Sequence, residues 1–152
     1  MRFDRAGRFN IPNLGRALGV DYGDVRIGLA LSDPTGTIAT PIDAIKTTGP
    51  GDPVNIASLA SEQKAMAIIV GLPLSLDGSV GKSARKVKAF CSRLRNLTEL
   101  PVITWDERMT TLEAHNLLRA TGKTPSKERG MNRGKIDSAS AAIILNSYIQ
   151  SK

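Results

Sequence analysis

Ala17-Leu18-Gly19-Val20-Asp21-Tyr22-Gly23-Asp24-Val25-Arg26-Ile27-Gly28-Leu29-Ala30-Leu31-Ser32 is the stretch whose reading decides the fold. It predicts a strand, a tight turn and a second strand. The first strand is short and apolar and ends in one carboxylate, Asp21. Ile27, Leu29 and Leu31 then alternate with Gly28, Ala30 and Ser32, the period of two expected of a strand. An acid at the end of an inner strand is costly to desolvate without a partner, and a metal ion is one such partner.

Working outward, residues 1–16 carry four arginines and a Pro12-Asn13 turn and read as a flexible basic arm. Residues 17–152 read as one domain. Asp33-Pro34-Thr35-Gly36 is a turn signal, and 37–45 a third strand whose Pro41 suits a sheet edge. Asp52-Pro53 predicts an N-cap with proline at the first helical position, opening a helix to about Gln63. Ala65 to Val70 is a continuous apolar run, as in a central strand buried on both faces.

A helix is expected from about Val80 to Arg95. Val80, Ala84, Val87, Cys91 and Leu94 form its inner stripe, so Cys91 is a small core residue. Lys82, Arg85, Lys86, Lys88, Arg93 and Arg95 occupy much of the rest and read first as a solvated face and second as a nucleic-acid contact. Residues 101–105 form a fifth strand. Thr110 and Glu113 make a capping box for a helix to about Arg119, and 120–134 is a basic loop. An almost wholly apolar helix from about Lys135 to Gln150 should pack against the sheet. The order β-β-β-α-β-α-β-α-α predicts an α/β fold: a five-stranded mixed sheet, three antiparallel strands then parallel ones, flanked by helices. That is the order of the ribonuclease H-like fold.

Composition narrows the chemistry. With one cysteine in 152 residues, an internal disulfide and a Cys-rich zinc site are excluded, and the single histidine, His115, argues against His-based metal chemistry. A metal here would be held by carboxylates, which favours Mg²⁺ or Mn²⁺. The net charge of +7 favours a polyanion, nucleic acid first. No apolar run is long enough to span a membrane and no signal peptide is visible, which leads us to expect a cytoplasmic protein.

Acids stand at three element ends: Asp21 after the first strand, Asp106-Glu107 after the fifth, and Asp137 in the first turn of the last helix. If strands one, four and five run parallel, the first two positions emerge at one sheet edge, where α/β proteins place their sites. Carboxylates gathered there need divalent cations to offset their repulsion. Each acid also has a plainer reading: an Asx turn for Asp21, a surface ion pair for Glu107, a helix-dipole acid for Asp137.

Four motifs carry a family resemblance. They are Leu18-Gly19-Val20-Asp21-Tyr22-Gly23 with Arg26-Ile27-Gly28; Ile69-Val70-Gly71-Leu72-Pro73 with Asp77-Gly78; Asp106-Glu107-Arg108 with Thr110-Thr111; and Lys135-Ile136-Asp137-Ser138-Ala139-Ser140-Ala141. In these the chain closely resembles the YqgF/RuvX family of bacterial Holliday-junction resolvases and pre-16S ribosomal RNA nucleases. The resemblance implies a divalent-metal endonuclease that matures the 5′ end of the small-subunit ribosomal RNA. It puts catalytic, metal-binding acids at Asp21, Glu107 and Asp137, with Asp106 as a neighbouring group. Related junction resolvases typically carry two further acids, one after the fourth strand and one a turn along the last helix. This chain has Gly71-Leu72-Pro73 and Ala141 there.

Gly23, Arg26, Arg108, Arg133 and Lys135 are the candidate substrate-binding residues, with tight packing or surface pairing as the alternatives. Trp105 reads first as a core side chain and second as a base-stacking platform. His115 reads as structural or surface. The expected partner is nucleic acid, pre-rRNA before branched DNA, acted on by a monomer or homodimer. A junction resolvase and a non-catalytic ribosome-assembly or transcription factor are the alternative readings.

Overall fold

The computed structural model describes residues 2–3, 9–10, 15–110 and 138–151. Near the N-terminus β1 (Arg2–Phe3) pairs antiparallel with β2 (Phe9–Asn10), a short ladder the sequence reading did not contain. The main sheet is built from β3 (Arg16–Tyr22), β4 (Arg26–Ser32), β5 (Ala39–Lys46), β6 (Ala65–Leu72) and β7 (Val102–Asp106). Their order is β5-β4-β3-β6-β7. β3, β4 and β5 pair antiparallel, while β6 runs parallel to β3, and β7 to β6. This is the expected five-stranded mixed sheet, with Pro41 on the edge strand, where a missing N–H costs no ladder bond.

The period of two along β3 sorts its side chains between two cores. Leu18 and Val20 join Ile68, Val70, Val87 and Leu94 beneath α1 (Asp52–Glu62) and α2 (Lys82–Arg95). Ala17 faces the other way, with Ala67, Ile69 and Leu145, beneath α3 (Ala139–Gln150). α3 is buried nearly all round, as its composition predicts. It lies close because residue 19 has no side chain: a Cβ there would come 2.9 Å from both Ala141 O and Leu145 Cβ.

Two boundaries differ from expectation. Val80 precedes α2 and stays exposed; Phe90 joins the buried stripe instead. Cys91 is fully buried, and burial pushes its thiol up to about 11, an inert core group. Asp52 is not the N-cap of α1; Gly51 is. The Asp52 carboxylate is fully buried and folds back to accept hydrogen bonds from Thr48 N (2.8 Å), Thr48 Oγ1 (2.9 Å), Gly49 N (2.9 Å) and Tyr22 Oη (3.0 Å). Burial opposes ionisation of Asp52, but these donors together hold its carboxyl below the ordinary range. α3 begins at Ala139 with Ser138 as its N-cap; the expected start near Lys135 lies outside the described residues.

Candidate active site

β3, β6 and β7 are parallel, so their carboxyl ends share one edge of the sheet. Asp21 lies at that edge on β3. By alternation it faces the α3 side, and Tyr22 the α1–α2 side, where its ring stacks on Phe90 with centroids 4.4 Å apart. Gly28 is the register partner of Asp21 on β4 and is buried. A side chain at 28 would stand beside the carboxylate, since directly opposed Cβ atoms lie about 5 Å apart. Burial raises the Asp21 pKa above the ordinary carboxylate value.

Two strands away, β7 runs into a single 3₁₀ turn, Glu107–Met109, which sends neighbouring acids in different directions. Asp106 accepts from Arg108 Nε (2.9 Å) and Nη2 (2.6 Å) and from the Arg108 backbone N–H (2.9 Å). That bidentate pair holds the Asp106 carboxyl low. Arg108 Nη1 also reaches Leu76 O at 3.4 Å, tying the turn to the loop after β6. Glu107 instead folds over β6. A Cβ built on Gly71 would come 2.7 Å from Glu107 Oε1 and 2.5 Å from Ile144 Cδ1. Burial first, then the charges of Asp21 and Asp106, push Glu107 up to about 7. The edge therefore brings Asp21 and Glu107 into mutual electrostatic reach over a strand stripped of its side chain at Gly71.

The third expected acid, Asp137, lies outside the described residues, as do Arg133, Lys135 and His115. Among the described residues no group of three or more His, Cys, Asp or Glu could hold a metal ion. Ser138, next in sequence to Asp137, is fully buried, and its Oγ accepts from Leu29 N at 3.0 Å. The β4–β5 pairing shifts register between Ile27 and Leu29 at this point. The start of α3 is thus pinned to β4 one residue from Gly28.

The other candidates fall as follows. Gly23 closes the β3–β4 hairpin. Its N–H donates to Arg26 O at 3.1 Å, and a Cβ there would be 2.5 Å from that oxygen. Arg26 is exposed at the start of β4 opposite Lys46. Trp105 packs edge-on against Tyr148 at 5.5 Å, and its indole N–H donates to Ser147 Oγ at 3.0 Å, so it is a core residue. Thr110 donates to Glu107 O at 2.6 Å; the helix its capping box would open lies outside the described residues.

Sequence reasoning assigned no role to Gly71, Ser138 or the Asp52 cradle. A glycine inside an apolar strand signals close approach of another group, so Gly71 was findable. Nothing local distinguishes Ser138.

An antiparallel three-strand unit continued by parallel strands, with acids at their shared carboxyl edge, defines an α/β protein of the ribonuclease H-like class. The fold matches that of Thermus thermophilus RuvC in complex with Holliday junction substrate: TM-score 0.58, 14% identity, 90% of this chain and 96% of that one covered. It also matches the large terminase nuclease from thermophilic phage G20c: TM-score 0.53, 12% identity, 91% and 83% covered. The family profile described as "RuvX: Holliday junction resolvase" matches residues 15–151, and the chain belongs to that family. Relatives bearing the name "Putative pre-16S rRNA nuclease" include proteins of Trichormus variabilis and Rhodococcus opacus. The first is 41% identical, covering 88% of this chain and 86% of the relative. The second is 39% identical, covering 98% and 84%. No helix among the described residues is long and apolar enough to cross a membrane.

Proposed function

We propose that this chain is a divalent-metal-dependent endonuclease that processes the 5′ end of pre-16S ribosomal RNA. The observation that carries the reading is the convergence of Asp21 and Glu107 at the carboxyl edge, with Glu107 pushed up to about 7 partly by the Asp21 charge. Like-charged groups are rarely held together in a half-buried site unless a cation joins them. The names of the relatives supply the substrate.

The donor set is oxygen only, which suits Mg²⁺ or Mn²⁺. Asp21 and Glu107 would hold the ion, together with Asp137 from the segment before Ser138. When bound, the ion supplies an activated water and offsets charge on the leaving oxygen of the phosphodiester. The chain's own residues do the rest. β3 and its pairing to Gly28 fix Asp21. Gly71 leaves the volume that Glu107 fills. At neutral pH without metal, Glu107 is about half protonated, and cation binding requires that proton to leave. Arg26, at the mouth of the β3–β4 hairpin, would meet a phosphate, and Gly23 keeps that hairpin tight. Arg108 acts through Asp106 and the loop after β6, and Arg133 and Lys135 would add positive charge on the approach to Asp137. Residues 17–152 act as the nuclease domain and 1–16 as a basic arm, in the cytoplasm, as a monomer or homodimer.

A four-way-junction substrate is the second reading, favoured by the family description. Position 141 tells against a further acid on α3: Ala141 is fully buried and its carbonyl oxygen lies against Gly19.

The test is cleavage of a pre-16S 5′ precursor, an unrelated single-stranded RNA and a four-way DNA junction, with Mg²⁺ or Mn²⁺, by wild type and Asp21→Asn. Selective precursor cleavage lost in the variant supports the proposal. Cleavage of the junction alone favours the second reading, and no cleavage of any substrate by wild type overturns both.

A further inference from the structure

α2 carries six cations and no acid over its 14 residues. Its inner stripe of Ala84, Val87, Phe90, Cys91 and Leu94 is buried. The outer residues are not scattered. Lys82, Lys86, Ala89 and Arg93 stand at i, i+4, i+7 and i+11, which stacks them in one row along the helix. All four are exposed. Ala89 leaves a gap in the middle of the row. There a pocket of about 270 Å³ opens between α2, the β3–β4 hairpin and the segment leading into α1, lined by Lys86, Ala89, Phe90 and Arg93 on one side and by Tyr22, Asp24 and residues of the 47–53 segment on the other.

This pocket is on the opposite face of the sheet from Asp21, but it begins one residue away, at Tyr22. The Tyr22–Phe90 stack gives it an aromatic wall. Its two cations sit about 10 Å apart along the helix, from seven residues at 1.5 Å each. Its volume is below that of a closed small-molecule site, and it is open to solvent, which suits a chain passing through more than an enclosed metabolite. Asp24 pairs with Lys86 (3.1 Å), and both side chains are well exposed. Such a pair is worth little in water, so a phosphate can replace the carboxylate at small cost.

We propose that the Lys82-Lys86-Arg93 row and the pocket at Ala89 bind the sugar-phosphate backbone of single-stranded RNA flanking the scissile bond, a contact surface separate from the catalytic edge. This rests on the reading of the chain as an RNA-processing nuclease. α2 starts just after the loop that follows β6, at the catalytic edge, and runs away from it for about 21 Å. A strand leaving the edge around the Tyr22 end of the hairpin therefore meets Lys82 and Lys86 first and Arg93 last.

The test is binding of a fluorescent single-stranded RNA to the full chain in chelator, titrated with salt, so that no cleavage is needed. Lys86→Gln/Arg93→Gln is compared with Lys64→Gln/Lys88→Gln, which removes the same charge from exposed positions off the row. Ala89→Trp fills the pocket and leaves the charge unchanged. Melting curves confirm folding of all three, whose altered side chains are exposed. The row double variant should lower the log–log salt slope by about 1.4 and weaken binding about tenfold. The control double should change affinity less than about twofold, and Ala89→Trp should weaken it about fivefold. Equal losses in the two doubles, an unaffected Ala89→Trp, or no RNA binding by wild type would each overturn the proposal. An unaffected row double would do so too, leaving the row to an acidic protein. Because cleavage is not read, a chain that binds RNA this way but cuts nothing keeps this surface while losing the nuclease reading.

Discussion

The Glu107 carboxylate occupies the volume that a side chain on Gly71 would fill, with Oε1 2.7 Å from the Cβ position. Ile144 Cδ1 closes the same space from α3 at 2.5 Å. A Gly71→Ala substitution therefore cannot be absorbed by one flexible neighbour. The expected outcome is a displaced Glu107 and a loss of about 100-fold in kcat on the RNA precursor, the cost of misplacing a reacting group by about 1 Å. Steady-state kinetics beside a melting curve separates this from simple unfolding; a folded variant with wild-type kcat would refute it.

Stability of the metal-free protein should fall as pH rises through neutrality. Glu107 moves from an ordinary 4.5 up to about 7 on folding, and Asp21 moves in the same direction. The folded state thus binds protons more tightly than the unfolded one. That contribution is fully present below about 4.5 and is lost as pH passes through about 7. Thermal melts in chelator at pH 5.5 and 8 should show the higher Tm at the lower pH, and Glu107→Gln should shrink the difference. A wild-type Tm that rises over this interval would contradict the account.

Asp52→Asn keeps the shape of a buried side chain and removes its charge. Oδ2 accepts from both Gly49 N and Tyr22 Oη, so an amide NH₂ there turns a donor towards donors, and the alternative flip does the same to Thr48 N. We expect a cost of about 2 kcal/mol, or roughly 5 °C in Tm. Because Asp52 is held below its ordinary value, its own contribution has the opposite pH dependence to that of Glu107. It is present above about 4 and lost in acid, where the variant should approach wild type. Denaturant melts at pH 7 and pH 3 check both statements.

Ser138→Ala should leave the Leu29 N–H without its side-chain acceptor and loosen the start of α3. The expected cost is about 1–2 kcal/mol in stability and about tenfold in kcat, since the preceding residue is the proposed ligand Asp137. Ser138→Thr, which retains the hydroxyl, should recover part of both. Equal loss in the two variants would mean that the hydroxyl is not what positions the helix.

The sheet was legible because its signals are periodic. The alternation along 25–32, the unbroken apolar run at 65–70 and the all-apolar last helix each mark what they bury, and burial is what a two- or 3.6-residue repeat records. Asp21 was legible for the same reason, as an acid where a periodic strand stops. The division of labour between Asp106 and Glu107 was not. One 3₁₀ turn sends the first to Arg108 and the second over Gly71, and no repeat encodes that turn. Asp52 followed the N-cap pattern in sequence, yet its carboxylate turned to the three donors of the preceding loop and to Tyr22, a competition that local pattern does not rank. Val80 had the right spacing, but the loop through Gly78, at φ +85°, delays the helix by two residues.

The chain has a single sulfhydryl, Cys91, sealed under α2 with its ionisation pushed up to about 11. In the closed molecule it is silent towards thiol reagents. Modification can proceed only while α2 lifts from the sheet, so the rate of labelling under native conditions times that opening directly. The protein thus contains its own stopwatch for the face that we assign to RNA: a bound strand that clamps α2 should slow the reaction, with no mutation and no attached probe.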